Sequence, residues 1–403
     1  MSNLLLQFAK IKKVVYPLLI CAVFLLSSCA GRYDSLPEDY HAETDYPYTF
    51  YTGVGGPCVA PAENGYYFLS EGYLYYMDQA QMEPVLLCSR PDCKHEQEAV
   101  PEQCNAYFDN LMLPYVQFYE GQLYVMQRLW NENSTSLLDS EQFLMRVSPD
   151  GTNREIAARV EFTKENEQSS AFFAMHRGYL YTAYGDTYGF HLKRASLSEG
   201  GEIYEELFSA ADFGDFFYPL IYGKHLYLVY WTISESGERH DHVYDFDLTN
   251  GSHQEILTDD FSDGIRCEPI ALTDQYFFFW KRFADERAEI WRYDRENGNA
   301  EQISSDFKET GAFFRAFYDG ENLLLYRGNQ SGVETLAPET VSIIDLEGNV
   351  LKEEIPLDTA PVYTFAGGDP GWSFAYSPVD HKLTAIDKRN EQLALIDISE
   401  KQE

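Results

Sequence analysis

Asp274-Gln-Tyr-Phe, followed by a second run that ends in Tyr293-Asp-Arg-Glu-Asn-Gly298, is one copy of a small unit that recurs seven times along the chain. In each copy a β-run opens on Gly or Asp and carries a Leu-Tyr-like pair, as in Gly121-Gln-Leu-Tyr, Gly178-Tyr-Leu-Tyr, Gly223-Lys-His-Leu-Tyr and Gly320-Glu-Asn-Leu-Leu. The second run closes in a turn such as Phe246-Asp-Leu-Thr-Asn-Gly or Ile344-Asp-Leu-Glu-Gly. Asp followed by Gly or Asn suits tight hairpins that need φ > 0. The turns fall at Asp78, Ser148, Ser196, Asp247, Asp294, Asp345 and Asp387, a mean step of about 51 residues. Four short strands repeated at this spacing predict an all-β chain folded as a single β-propeller of seven four-stranded blades. Six or eight blades stay open, because the first and last copies are the least regular. With the strands of each blade lettered A to D from the axis outward, the blades are expected at 55–88, 114–160, 169–208, 215–258, 265–305, 312–356 and 361–398. Gly65-Tyr-Tyr-Phe is strand B and Tyr73 to Met77 strand C of the first.

The N-terminus reads as an export signal. Lys10, Lys12 and Lys13 precede an apolar stretch from Val14 to Leu26, shorter than the ~20 apolar residues that span a bilayer. The stretch ends in Leu26-Ser27-Ser28-Cys29, a lipobox-like sequence in which small residues fit a peptidase and the Cys29 thiol carries a diacylglyceryl thioether. The expected organisation is a lipoprotein signal peptide at 1–28, a flexible acidic tether at 29–46 and the propeller at 47–403. Tyr46-Pro-Tyr-Thr-Phe-Tyr51 is a candidate extra strand to latch the ring.

The net charge is −35. Loss of residues 1–28 removes three lysines and no acid and takes it to −38. Such a surface repels nucleic acid and anionic headgroups. The sequence therefore predicts a bacterial protein held by its lipid on the outer side of the cell membrane, monomeric and without a nucleic-acid partner.

Propeller geometry sorts the connections: A–B and C–D turns lie on one face, B–C and D–A loops on the other. The long insertions at 89–113, 131–140, 232–240 and 329–338 all belong to the second face. Long loops in a compact domain are commonly functional, so this face is expected to bind.

Cys88-Ser-Arg-Pro-Asp-Cys93-Lys-His95, followed by Cys104-Asn-Ala-Tyr-Phe108, places three thiols and an imidazole in the first of these loops. Cys88, Cys93, His95 and Cys104 form a metal-or-disulfide set. An exported protein favours disulfides, while Cys₃His is also a tetrahedral zinc set. No cofactor is expected; a structural zinc and reduced thiols are the alternatives to a disulfide at this set. Cys58 and Cys267 bring the thiols outside the signal and lipid positions to five. This loop, together with the lipobox, resembles the TolB-like β-propeller lipoproteins of gut Firmicutes. The resemblance implies a propeller fold and a lipid-anchored location; it carries over no catalytic residue.

Trp130, Trp231 and Trp280 fall at or just beyond the end of strand B in three blades, with Tyr184 in a similar place in a fourth. Exposed aromatic faces there would stack on sugar rings or apolar peptide side chains, against the competing expectation of blade-to-blade packing. Trp291 and Trp372 read as core. His240-Asp-His242 offers two imidazoles on one side of a strand, a pair more consistent with a solvated hairpin than with a metal. No Gly-x-Ser-x-Gly elbow or P-loop occurs. The expected function is binding of a glycan, peptide or envelope partner on the D–A/B–C face. The alternative is a glycoside hydrolase or lyase with carboxylates at the central channel, for which fold analogy is the only support.

Overall fold

The computed structural model describes residues 40–41, 44–45, 59–95, 104–109, 115–129, 141–160, 171–186, 188–211, 215–216, 219–235, 237–257, 266–283, 287–307, 312–329, 340–356, 364–377, 382–390 and 394–397. Seven antiparallel sheets follow one another along the chain as seven blades, spanning 59–86, 116–160, 171–210, 215–257, 266–307, 312–356 and 364–397. In blade one the strands are Val59–Ala62, Gly65–Ser70, Tyr73–Asp78 and Pro84–Leu86, running from the axis outward. Blade four departs slightly: its inner strand is split into Asp215–Phe216 and Leu220–Tyr222, both paired to His225–Ile233.

The repeats form strands because each alternates residues between its two faces, and both faces of a blade meet a neighbouring blade. Seven buried clusters fill the seven gaps between successive blades. The gap that closes the ring packs Val59, Tyr66, Phe68 and Met77 of blade one against Trp372, Phe374, Tyr376 and Leu383 of blade seven. Tyr66 meets Phe374 edge-on at 4.7 Å and donates from its hydroxyl to Asp369 Oδ2 at 2.6 Å. Each fully buried Leu or Phe contributes about 1.5–3 kcal/mol, so a closed ring gains one more such interface than an open one. In every sheet the described strands come from one consecutive stretch of chain. The candidate latch at 46–51 lies outside the described residues.

The turn aspartates close the C–D hairpins by accepting backbone N–H groups. Asp247 Oδ1 takes Thr249 N at 2.9 Å, Asp294 Oδ1 takes Glu296 N at 2.9 Å, and Asp345 Oδ1 takes Glu347 N at 3.0 Å. Two residues before three of these turns stands an arginine that the repeat reading passed over: Arg146, Arg194 and Arg292. Each pairs with a glutamate on strand D, namely Glu155, Glu205 and Glu301. Arg194 and Arg292 also lie over the strand B rings of Tyr179 and Tyr276 at 4.7 and 4.5 Å. They then donate across the gap to the next blade's turn, to Leu248 O at 2.7 Å and Leu346 O at 3.0 Å. The guanidinium fork suits this use because it bonds in several directions at once.

Part of the segment before blade one docks on the ring. Arg177, in the A–B turn of blade three, donates its backbone N–H to Thr44 O at 2.6 Å. Its guanidinium grips Asp45 at 2.9 and 3.1 Å, with the two side chains 6% and 0% exposed. Tyr40 lies 6.1 Å from Tyr222, at the A–B end of blade four, and burial pushes its phenol up to about 12. Beside them His176 Nε2 lies 2.6 Å from Gly223 O.

Candidate functional site

The D–A connection from blade one to blade two is built onto the outer part of blade one. Leu87 N donates to Leu74 O and Leu74 N to Ala106 O, both at 2.9 Å, and Phe108 N donates to Gly72 O at 2.8 Å. Tyr73 and Tyr107 form an isolated antiparallel bridge with rings 5.2 Å apart. Gly72 makes the close approach feasible: at φ +83, a Cβ there would sit 2.9 Å from Phe108 O and 3.0 Å from the Tyr107 ring. From blade two, Arg154 lies 4.4 Å over the Phe108 ring and donates to Tyr107 O at 3.1 Å and Gln127 Oε1 at 2.7 Å. The described parts of the loop thus bridge two blades.

On this platform the four residues of the cysteine motif converge. The sulfurs of Cys88, Cys93 and Cys104 and a ring nitrogen of His95 all lie within 4.8 Å of one another. Cys104 Sγ is 3.8 Å from Cys88 Sγ and 3.7 Å from His95 Nδ1. Two turns bring them together, one closed by Cys93 N to Arg90 O and one by Tyr107 N to Cys104 O, both 3.3 Å. His95 adopts φ 53, a left-handed conformation that His tolerates better than most residues. Cys104 is fully buried, and burial pushes its thiol up to about 12. At Cys88 burial works in the same direction, but hydrogen bonds from the backbone N–H groups of Arg90 and Asn105 and from the other thiols outweigh it and lower the pKa. Among the described residues, no disulfide joins Cys88, Cys93, Cys104 or Cys267. The fourth, Cys267, is buried elsewhere, its N–H donating to Asp241 Oδ2 at 2.7 Å and its thiol raised by burial.

The aromatic residues expected to form a ligand platform are placed differently. Tyr184 and Trp280 are each 2% exposed. Tyr184 stacks on its cross-strand partner His191 at 5.2 Å, and Arg282 lies 5.2 Å over Trp280. The expectation of exposed stacking faces is therefore corrected for these two. Trp231 is half-buried, with the Arg239 guanidinium 3.9 Å above its ring. Arg239 lies diagonally across the sheet from Trp231, within reach of its ring, whereas Arg282 stands two residues along the same strand as Trp280. Trp130 lies outside the described residues. Trp372 is buried as expected, whereas Trp291 is only half-buried beneath Lys281. His242 has Nδ1 2.9 Å from Glu255 Oε1 and Nε2 3.1 Å from Thr232 Oγ1, while His240 is exposed. The insertion expected at 232–240 proves to be a hairpin extension, in which His225–Ile233 and Arg239–Asp247 run on to a short turn.

The buried carboxylates have framework partners. Among the described residues five acids are buried. Asp45 binds Arg177, Asp241 binds Arg239, Glu289 binds Arg287, Asp319 binds Lys388 and Asp387 binds Arg389. Glu289 also accepts from Trp291 Nε1 at 2.8 Å.

No protein-family model and no curated protein matches the chain. Solved structures do. An oligogalacturonate lyase in complex with manganese superposes with a TM-score of 0.50 at 13% identity, over 88% of this chain and 88% of that one. A prolyl endopeptidase gives 0.54 at 10% identity, over 89% of this chain and 50% of the other. TolB from Acinetobacter baumannii gives 0.38 at 16% identity, over 84% and 79%. At these identities the likeness is to the propeller fold alone, and the TolB superposition is too loose to argue from.

Proposed function

We propose that the chain is a binding protein rather than an enzyme: a propeller held by a lipid on Cys29 outside the cell membrane, as in the TolB-like lipoproteins, that recognises a glycan, peptide or envelope protein on its D–A/B–C face. The observation that carries the reading is the pairing of all five buried carboxylates in the described residues with arginine or lysine. A glycosidase or lyase needs acids poised to exchange protons or bind a catalytic cation; these are bonded to arginine or lysine and serve the framework. The elaborated D–A loop, packed as a unit of its own on blade one, supplies the surface that distinguishes this ring.

The docking of Tyr40–Asp45 adds a direction. These residues lie against the A–B turns of blades three and four. A tether from Cys29 to Tyr40 reaches at most about 40 Å when extended. On this reading the A–B/C–D face, where Tyr40, Thr44 and Asp45 dock, is the one nearer the bilayer, and the D–A/B–C face is the one a partner reaches.

Purified residues 30–403 on a glycan array, with polygalacturonate turnover followed in parallel, test the reading. Binding without turnover is expected, and replacing residues 89–107 with a Gly/Ser linker should lower the array signal at least tenfold. Catalytic release of unsaturated product, or undiminished binding by the loop variant in a folded ring, would contradict it.

A further inference from the structure

We propose that Cys88, Cys93, His95 and Cys104 together hold one zinc ion, and that this ion fastens the D–A loop to the edge of blade one. The inference is independent of which ligand the face recognises.

Tetrahedral zinc with Zn–S bonds of about 2.3 Å separates two ligand sulfurs by about 3.8 Å, and with Zn–N of about 2.0–2.1 Å it separates sulfur from nitrogen by about 3.6 Å. The Cys88–Cys104 and Cys104–His95 separations are 3.8 and 3.7 Å, and all four donor atoms fall within 4.8 Å of one another. A disulfide accounts for less. It needs sulfurs about 2.0 Å apart, consumes two thiols of three, and gives neither the remaining thiol nor the imidazole a reason to converge.

The surroundings suit a bound ion. The backbone N–H of Arg90 points to Cys88 Sγ and that of Ala106 to Cys104 Sγ, each from two residues further along the chain, and hydrogen bonds of this kind orient ligand sulfurs around a metal. Tyr73, Ala106, Leu86 and Tyr107 pack against the inner side of the cluster, while His95 stands exposed and Cys93 half-exposed on the other, leaving a path for an ion to enter. Three thiolates and one imidazole match the donor preference of zinc over magnesium or calcium, which take oxygen ligands. Binding releases the thiol protons to solvent and involves no redox step.

The ring and this loop differ in what holds them. The blades have extensive buried interfaces, whereas the loop has one tight turn at Arg90–Cys93, one at Cys104–Tyr107 and the small cluster around Cys104. A four-ligand ion supplies the missing crosslink, so its removal should loosen the loop before the ring.

Residues 30–403 purified without chelator should contain one zinc per chain by plasma mass spectrometry, and Cys88, Cys93 and Cys104 should resist alkylation until a chelator is added. Cobalt exchanged into the site should show the visible bands of a tetrahedral thiolate complex. Limited proteolysis after chelation should cut between residues 88 and 108 while far-UV circular dichroism of the ring persists. Cys93→Ser and His95→Ala, at the more exposed positions, should retain the fold and lose most of the zinc. A disulfide among these cysteines in non-reduced peptide maps, three thiols alkylated at once in a metal-free protein, or a different metal at full stoichiometry would each overturn the proposal.

Discussion

His176 is the residue whose chemistry is set most completely by its surroundings. Burial lowers its pKa from 6.5 to about 4, with Asp45 and the Gly223 carbonyl working against that shift and Arg177 with it. Between those two values the unfolded chain binds the proton and the folded one does not, so folding stability rises with pH through that window and is lost as pH falls. The difference corresponds to about 3 kcal/mol. Urea unfolding of wild type should therefore show a fall between pH 6.5 and pH 4 that is shallower in His176→Gln, which retains an N–H for Gly223; equal slopes would remove this role. The neighbouring Asp45–Arg177 pair is buried on both sides, and removing one partner leaves the other charge unmatched at a cost of about 3–5 kcal/mol. Asp45→Ala should lower the urea midpoint accordingly, and a change below about 1 kcal/mol would show that the docked segment adds little. None of this was legible in the sequence. Asp45 and Arg177 are 132 positions apart in the chain, and no local pattern marks their pairing.

At the scale of the element, the hairpin turns were legible because the Asp side chain itself caps the turn that follows it. Local chemistry of this kind leaves a local signature. The arginine struts left one as well, an Arg two positions before Ser148, Ser196 and Asp294, but their meaning lies in contacts to the next blade. Arg292→Ala removes the bonds to Leu346 O and Glu301 and the packing on Tyr276. It should destabilise the protein by about 1 kcal/mol in chemical denaturation, since one part-buried carbonyl loses its donor; an unchanged midpoint would mean that water replaces the strut. The burial of Tyr184 and Trp280 was not legible for a related reason. Position at a strand end is visible in sequence, but what covers the ring is not: His191 and Arg239 come from the paired strand, and Arg282 from two residues along the same strand as Trp280. The four metal-ligating candidates were all identified from their spacing, whereas their convergence depended on Gly72 and the Tyr73–Tyr107 bridge, which belong to a different part of the blade.

For the whole molecule, repeat spacing was sufficient to give seven blades, and the expected spans fall within a few residues of the observed sheets. Periodicity survives in sequence because each blade solves the same packing problem against two neighbours. The direction in which the ring faces does not survive, because it depends on where Tyr40–Asp45 docks. On the proposed reading, a lipid on Cys29 would hold the A–B/C–D face toward the bilayer and leave the loop-bearing face outward. Energy transfer to acceptor lipids measures this directly in vesicles carrying the full-length lipidated protein, with a donor placed by a bio-orthogonal side chain at Asn250 in a C–D turn or at the exposed Tyr188 in a B–C turn. Strong transfer from position 250 and weak transfer from position 188 is the predicted result; the reverse order, or no association with the vesicles, would contradict the account.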